Sequence, residues 1–180
     1  MQNIFSTGIE TFKLDGIDNE SIINYSEKNS IRNGVKENID ILTNDIFTEL
    51  NNVVKIKMNE YYSKIYNDKY NMIISQAWSN VNNDDLITIP HNHKESFISA
   101  VYYPLATDGY ISFLNPMQSL ISHQSNNMID EFNEYNSDYY KFNARTGHLI
   151  VFNSMLQHYI GDTKEKRISI AYNGNLKNAR

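Results

Sequence analysis

The sequence predicts an α+β protein, mainly β, built as an antiparallel sandwich or jelly roll with N-terminal helices packed on the sheet. Three observations lead there. Apolar residues recur every three or four positions between Ile39 and Ile65, the period of one helix face. After Tyr70 the period drops to two, in short runs rich in β-branched and aromatic residues. Turn signals, not long helices, separate those runs, which argues against alternating βα units. At 180 residues the chain is long enough for one domain with a substantial core. The expected division is 1–70 as mainly helical support and 71–175 as the jelly-roll core within a single domain, 1–180.

Element by element, "IFSTGIETFKL" alternates weakly and reads as an opening strand. "DNESIINYSEKNS" follows as a short helix, with Asp18 or Asn19 as N-cap and Glu20 in the first turn. Ile39, Leu42, Ile46, Leu50, Val54, Met58, Tyr61 and Ile65 mark a long amphipathic helix, broken once near Asn51–Asn52. Six strand-like runs come next: "NMIISQAWSNV", "HKESFISAVYYP", "YISFLN", "DYYKFNA", "HLIVFNS" and "RISIAYN". "NNDD", "TDG", "NP", "RTG" and "IGD" supply the turns. The segment 117–137 interrupts this spacing and reads as an insertion, a lid or substrate loop.

Composition narrows the function classes. Hydrophobic content is 41%, charged content 21% and net charge −5, so nothing resembles a basic nucleic-acid or membrane footprint. The absence of cysteine excludes disulfides, thiolate metal sites and a cysteine nucleophile. No apolar run reaches membrane-spanning length, and the N-terminus lacks a leader pattern, so a cytoplasmic protein is expected.

Two of the five histidines stand two apart, His91 and His93. On a strand they would project to one face, where paired imidazoles make a poor apolar core but good metal ligands. His123, in the polar insertion, reads as solvated, and His148 as a half-exposed strand residue. His158 is different, because it follows the apolar run "LIVFNSML" where a strand would leave the core. Nine residues later comes Arg167, within a β-branched strand. If odd positions of that strand face inward, Arg167, Ser169, Ala171 and Asn173 share a face. A buried arginine needs an anion, and its fork of donors suits a carboxylate. The bland alternative is that Arg167 pairs with Asp162 or Glu165, or reaches solvent. Trp78, Tyr102, Tyr110 and Phe113 are candidates for a substrate mouth, though as core residues they need no function.

With these residues assembled, the sequence resembles the 2-oxoglutarate/Fe(II)-dependent oxygenases, in particular those of phage and bacterial genomes. The likeness rests on His91, His93, Ser96, Ser99, Tyr102 and Tyr103, then Phe152, Ser154, His158, Arg167, Ile168, Ser169 and Asn173, with "AWSNV" at 77–81 upstream. It spans roughly residues 71–175, and the "H-x8-R-x-S" run is its most specific part. The resemblance implies a double-stranded β-helix, Fe(II), 2-oxoglutarate as co-substrate and O2. It implies His91 and His158 as metal ligands, and Arg167 with Ser169 on the distal carboxylate of 2-oxoglutarate. Tyr103 would add a phenol hydrogen bond there. The third ligand stays open: His93 completing a three-histidine site, Glu95 in an H-x-E pair with His93, or water or a co-substrate. His93 is preferred and Glu95 is the reserve, although the usual triad carries a carboxylate.

The activity so implied is hydroxylation of an unidentified small-molecule or peptidyl substrate, coupled to decarboxylation of 2-oxoglutarate. A phage-encoded chain would work in the host cytoplasm. Oligomeric state is open, a homodimer included. Two rivals stand beside this: a cupin-like three-histidine enzyme that does not use 2-oxoglutarate, and a non-catalytic jelly-roll binding module.

Overall fold

Two antiparallel sheets face one another, and the helices of the first third cover the outer side of the larger one. The computed structural model describes residues 6–29, 39–67, 69–82, 88–121, 128–161 and 163–178. Elements run β1 (Ile9–Lys13), α1 (Asn19–Asn29), two 3-10 turns (Ile39–Leu42 and Asp45–Phe47), α2 (Thr48–Ser63) and β2 (Tyr70–Asn82). Then come β3 (Ile98–Leu105), β4 (Tyr110–Leu114), α3 (Gln118–Ile121), β5 (Tyr139–Asn143), β6 (His148–Asn153), β7 (His158–Ile160) and β8 (Arg167–Asn178). The major sheet has the order β1-β6-β3-β8-β2 and the minor sheet β5-β4-β7. This is the double-stranded β-helix arrangement the sequence led us to expect.

Alternation along the strands divides the interior into two compartments. Ile98, Ala100 and Tyr102 of β3, Leu149 and Val151 of β6, and Ile170 and Tyr172 of β8 pack against α1 and α2 through Ile22, Leu50, Val54 and Met58. The intervening residues Val101, Tyr103, Ile150 and Phe152 meet Ile111 and Phe113 of the minor sheet. Tyr102 and Phe113 are therefore core residues. The Tyr102 hydroxyl is satisfied by donating to Asn19 Oδ1 at 2.7 Å.

The start of α1 follows the expected capping. Asp18 accepts from the Ser21 amide at 3.1 Å and the Ser21 hydroxyl at 2.7 Å. The long helix departs from expectation. Its break lies at Thr43–Asn44, where the Asn44 side chain accepts from the Ile46 amide at 3.0 Å, and α2 then runs unbroken through Asn51–Asn52. Asn51 acts as a tether instead, its Nδ2 donating to Ile41 O (2.7 Å) and its Oδ1 accepting from the Tyr172 hydroxyl (3.0 Å). A second correction concerns "HKESFISAVYYP", whose regular strand begins only at Ile98. A third is β7, three residues long, which the period-two reading did not separate. Gly147, at φ 79°, makes the turn into β6, and its carbonyl accepts from the Leu14 amide at 2.8 Å.

Candidate metal centre

Between the two sheets, three imidazoles converge. His91 and His158 face each other as an antiparallel pair, each amide donating to the other's carbonyl at 3.0 and 2.9 Å. His93 lies two residues on, its amide donating to Ser154 O at 2.9 Å, with residues 93–97 forming a turn. The pair thus comes together through a bridge and a turn, and not through the regular strand expected from sequence. Ring centroids are 4.5 Å apart for His91–His158 and 5.2 Å for each of the other two pairs. One nitrogen from each ring lies within 4.8 Å of the others, and this is the one such His, Asp or Glu grouping among the described residues. Glu95 is exposed in the turn and does not join it.

The protonation pattern suits a cation. The Nδ1 of His91 lies 2.9 Å from Ile89 O and that of His158 2.9 Å from Leu156 O. A carbonyl only accepts, so Nδ1 carries the proton and Nε2 keeps its lone pair. Burial pushes the His158 pKa down to about 4, with the neighbouring His91 and His93 acting in the same direction and the Leu156 carbonyl opposing them. Burial, then the charge of His91, lowers His93 to about 4 as well. Both rings are therefore neutral at pH 7, as metal ligation requires. Phe152 and Phe113 pack on His158, and the half-buried Trp78 meets His93 edge-on at 5.6 Å.

Arg167 is only 1% exposed, and none of its three guanidinium nitrogens has a hydrogen-bond partner among the described residues. Burial lowers its pKa, opposed by the charges of Tyr103 and Asp108. Asp162 lies outside the described residues, as does His123. Glu165 is exposed, and its amide donates to Asp108. Asp108 also holds the Thr163 hydroxyl (2.6 Å) and Lys164 amide (2.7 Å), fixing the loop that enters β8. Ser169 and Tyr103, each 1% exposed, lie on the same side of the major sheet. Burial pushes the Tyr103 hydroxyl up to about 12, against the pull of Arg167.

Sequence reasoning singled out Trp78 of β2 but missed the strand's carboxamides. Register places Gln76, Trp78, Asn80 and Asn82 opposite Asn173, Ala171, Ser169 and Arg167. An irregularity between Ile74 and Gln76 reverses the parity, so β2 adds carboxamides to the wall that carries Arg167. Asn80 Nδ2 reaches Ser169 Oγ at 3.5 Å. His148 is half-exposed at the start of β6, as expected, and stands apart from the cluster.

Facing sheets, outer helices on one side and a cluster of imidazoles between define a class: a double-stranded β-helix protein with a candidate mononuclear metal centre. Residues 76–173 match the family described as "Putative 2OG-Fe(II) oxygenase", and the chain belongs to that family. No curated protein matches the sequence. Among solved structures, the chain is similar to the non-heme alpha ketoglutarate dependent epimerase SnoN from nogalamycin biosynthesis. The TM-score is 0.65 at 14% identity, covering 94% of this chain and 78% of SnoN. It is also similar to HygX from Streptomyces hygroscopicus with nickel and 2-oxoglutarate bound (TM-score 0.61, 12% identity, 94% and 82% covered). A third is the viral collagen prolyl hydroxylase of Paramecium Bursaria Chlorella virus-1 in its 2OG complex (TM-score 0.57, 12% identity, 96% of each chain). At these identities the likeness is one of fold, and it extends over the N-terminal helices that the family match leaves out.

Proposed function

We propose that the protein is a metal-dependent dioxygenase that holds Fe(II) through His91, His93 and His158 and binds 2-oxoglutarate through Arg167. Both groups fit the residues present. His93 and His158 are neutral, and the Nδ1–carbonyl contacts of His91 and His158 leave Nε2 of each facing the cluster as a candidate ligand atom. The guanidinium is buried with no hydrogen-bond partner among the described residues, which suits it to receive an anion. Arg167 is the observation that carries the reading. Bound Fe(II) and 2-oxoglutarate would supply oxidative decarboxylation coupled to oxidation of a substrate C–H bond. The chain's own part is to orient and exclude. Arg167, with Ser169 and Tyr103 beside it, would fix the distal carboxylate of the co-substrate. Phe113 and Phe152 shield the His158 side of the centre from water, and Trp78 stands at the His93 side, where a small-molecule or peptidyl substrate would enter. The similar folds of SnoN, HygX and the viral prolyl hydroxylase, all tied to 2-oxoglutarate in their descriptions, support this.

A second reading has its own observation. Three imidazoles without a carboxylate depart from the two-histidine, one-carboxylate triad of such oxygenases. The donor set alone accords better with a cupin-like three-histidine enzyme that does not use 2-oxoglutarate. Anaerobic calorimetry with Fe(II) and then 2-oxoglutarate, followed by an assay for succinate under O2, separates the two. Succinate formation that is lost in Arg167→Met supports the first. Stoichiometric metal without 2-oxoglutarate binding supports the second. Binding of neither overturns the enzyme reading and leaves a non-catalytic module.

A further inference from the structure

The three histidines are not held alike. His91 and His158 lock each other through two reciprocal backbone hydrogen bonds. His93 has no reciprocal pair of this kind among the described residues; its amide is held by a loop residue, Ser154, while Phe97 at the far end of the turn donates its amide to Gly174 O at 2.8 Å. The Ser154 carbonyl accepts from the His93 amide at 2.9 Å, and the Ser154 amide donates to Phe97 O at 3.3 Å. Ser154 therefore grips both ends of the turn 93–97, which is itself closed by the Ser96 amide donating to His93 O at 3.0 Å.

These backbone bonds continue the β3–β6 pairing past Ile98–Asn153, and a chain of side-chain hydrogen bonds through the interior of the major sheet adds to them by holding the Ser154 side chain. The Ser99 hydroxyl donates to Asn173 Oδ1 at 2.7 Å. Its single proton being so used, the 2.8 Å contact between Ser99 Oγ and Ser154 Oγ requires Ser154 to donate. Asn173 Nδ2 in turn donates to Gln76 Oε1 at 3.2 Å, which sets the orientation of the amide. Ser154, Ser99 and Asn173 are 0%, 2% and 3% exposed, so these bonds operate without competing water. Ser99 and Asn173 are also direct cross-strand neighbours on β3, the central strand of the sheet, and β8 beside it. The three residues come from separate parts of the sequence and share no role in the site chemistry described above.

We propose that Ser99, Ser154 and Asn173 are positioning residues for His93, a clamp that ties the imidazole lacking a reciprocal backbone pair to the interior of the major sheet. The proposal rests on the reading of His93 as a metal ligand. In the clamp's absence the turn 93–97 keeps its backbone bonds to Ser154 and Gly174, but the Ser154 side chain no longer ties the loop to Ser99 and Asn173 in the sheet interior.

Co(II) serves as the probe, because its visible absorption bands report ligand geometry directly. Titration of the apoprotein should show one Co(II) per chain in the wild type and a marked loss in His93→Ala. Ser99→Ala and Ser154→Ala should each bind Co(II) about tenfold to a hundredfold more weakly, with altered band positions, since residues supporting a ligand have effects of that order. Ser99→Thr, which keeps the hydroxyl, should retain the wild-type spectrum. Met58→Ala, in the helix-facing core, is the control for lost stability and should leave the spectrum unchanged. If the wild type binds no Co(II), or His93→Ala binds as the wild type does, the ligand reading falls and the clamp with it. If His93→Ala loses Co(II) while both serine variants match the wild type, the clamp alone is overturned. Should Ser99→Ala not fold, Ser154→Ala removes the same hydrogen bond from the loop side and decides the matter.

Discussion

Arg167 is a residue the apoprotein would be more stable without. Its guanidinium is 1% exposed with all three nitrogens unpartnered among the described residues, so folding removes its hydration and returns little. An apolar side chain of similar length would avoid that penalty. Arg167→Met is accordingly expected to raise the unfolding free energy of the apoprotein by about 1–4 kcal/mol, by analogy with buried charges replaced by packed hydrophobes. The denaturation midpoint should rise with no change in slope. A fall in the midpoint would mean that the guanidinium is well satisfied in solution. Such a trade of stability for binding is common where a site must wait for its ligand. The alternation of "RISIAYN" predicted which residues share Arg167's side of the strand, because side chains there alternate between two faces, both of them buried. The missing counter-ion could not be read the same way. Asp162 and Glu165 were both plausible from spacing, and only geometry sets Glu165 at the surface with its amide on Asp108.

Among the elements, α2 and the turn before β3 mark the limits of reading by pattern. Asparagine is a poor helix former, so Asn51–Asn52 looked like an interruption. In the fold Asn51 bridges Ile41 O and the Tyr172 hydroxyl, two groups that the helix and β8 would otherwise leave without these partners. Asn51→Ala is therefore expected to destabilise by about 1–3 kcal/mol, the cost of unpairing buried polar groups. Asn52→Ala, on the exposed face of the same helix, should change stability by less than about 0.5 kcal/mol. Equal effects in thermal and urea unfolding would argue against the tether. The histidine pair taught a different lesson. His91 and His93 do converge with His158, but the cause is a two-residue bridge and a turn, structures too short to leave a periodic trace. The irregularity at Ile74/Gln76 hid the carboxamides of β2 for a related reason, since one extra residue exchanges the two faces and no periodicity survives it.

At the scale of the whole molecule, stability should be graded by position in the sheets. β6, β3 and β8 are flanked on both sides in the major sheet, whereas β1, β2, β5 and β7 are edges. Backbone amides of β6, β3 and β8 are expected to exchange with solvent most slowly, and those of β5 among the fastest of the strands. Adding Co(II) or Ni(II) should selectively slow exchange in peptides containing His91, His93 and His158. Hydrogen-exchange mass spectrometry checks both points, and uniform protection across the sheets would contradict the gradation. The overall plan was legible because the change of period near Tyr70 separates helices from strands cleanly. The pairing order was not, since long-range register depends on contacts that no local pattern encodes.

β8 has a consequence for how such a protein can change over time. Ile170 and Tyr172 belong to the compartment under the helices, while Arg167, Ser169 and Asn173 belong to the one that faces the centre. The strand is a party wall between two rooms. Tenants on one side can be exchanged without disturbing those on the other, so the chemistry lining the cleft is free to drift while the foundation under the helices stays put. Only a one-residue insertion or deletion evicts both at once, by turning every side chain to the wrong room.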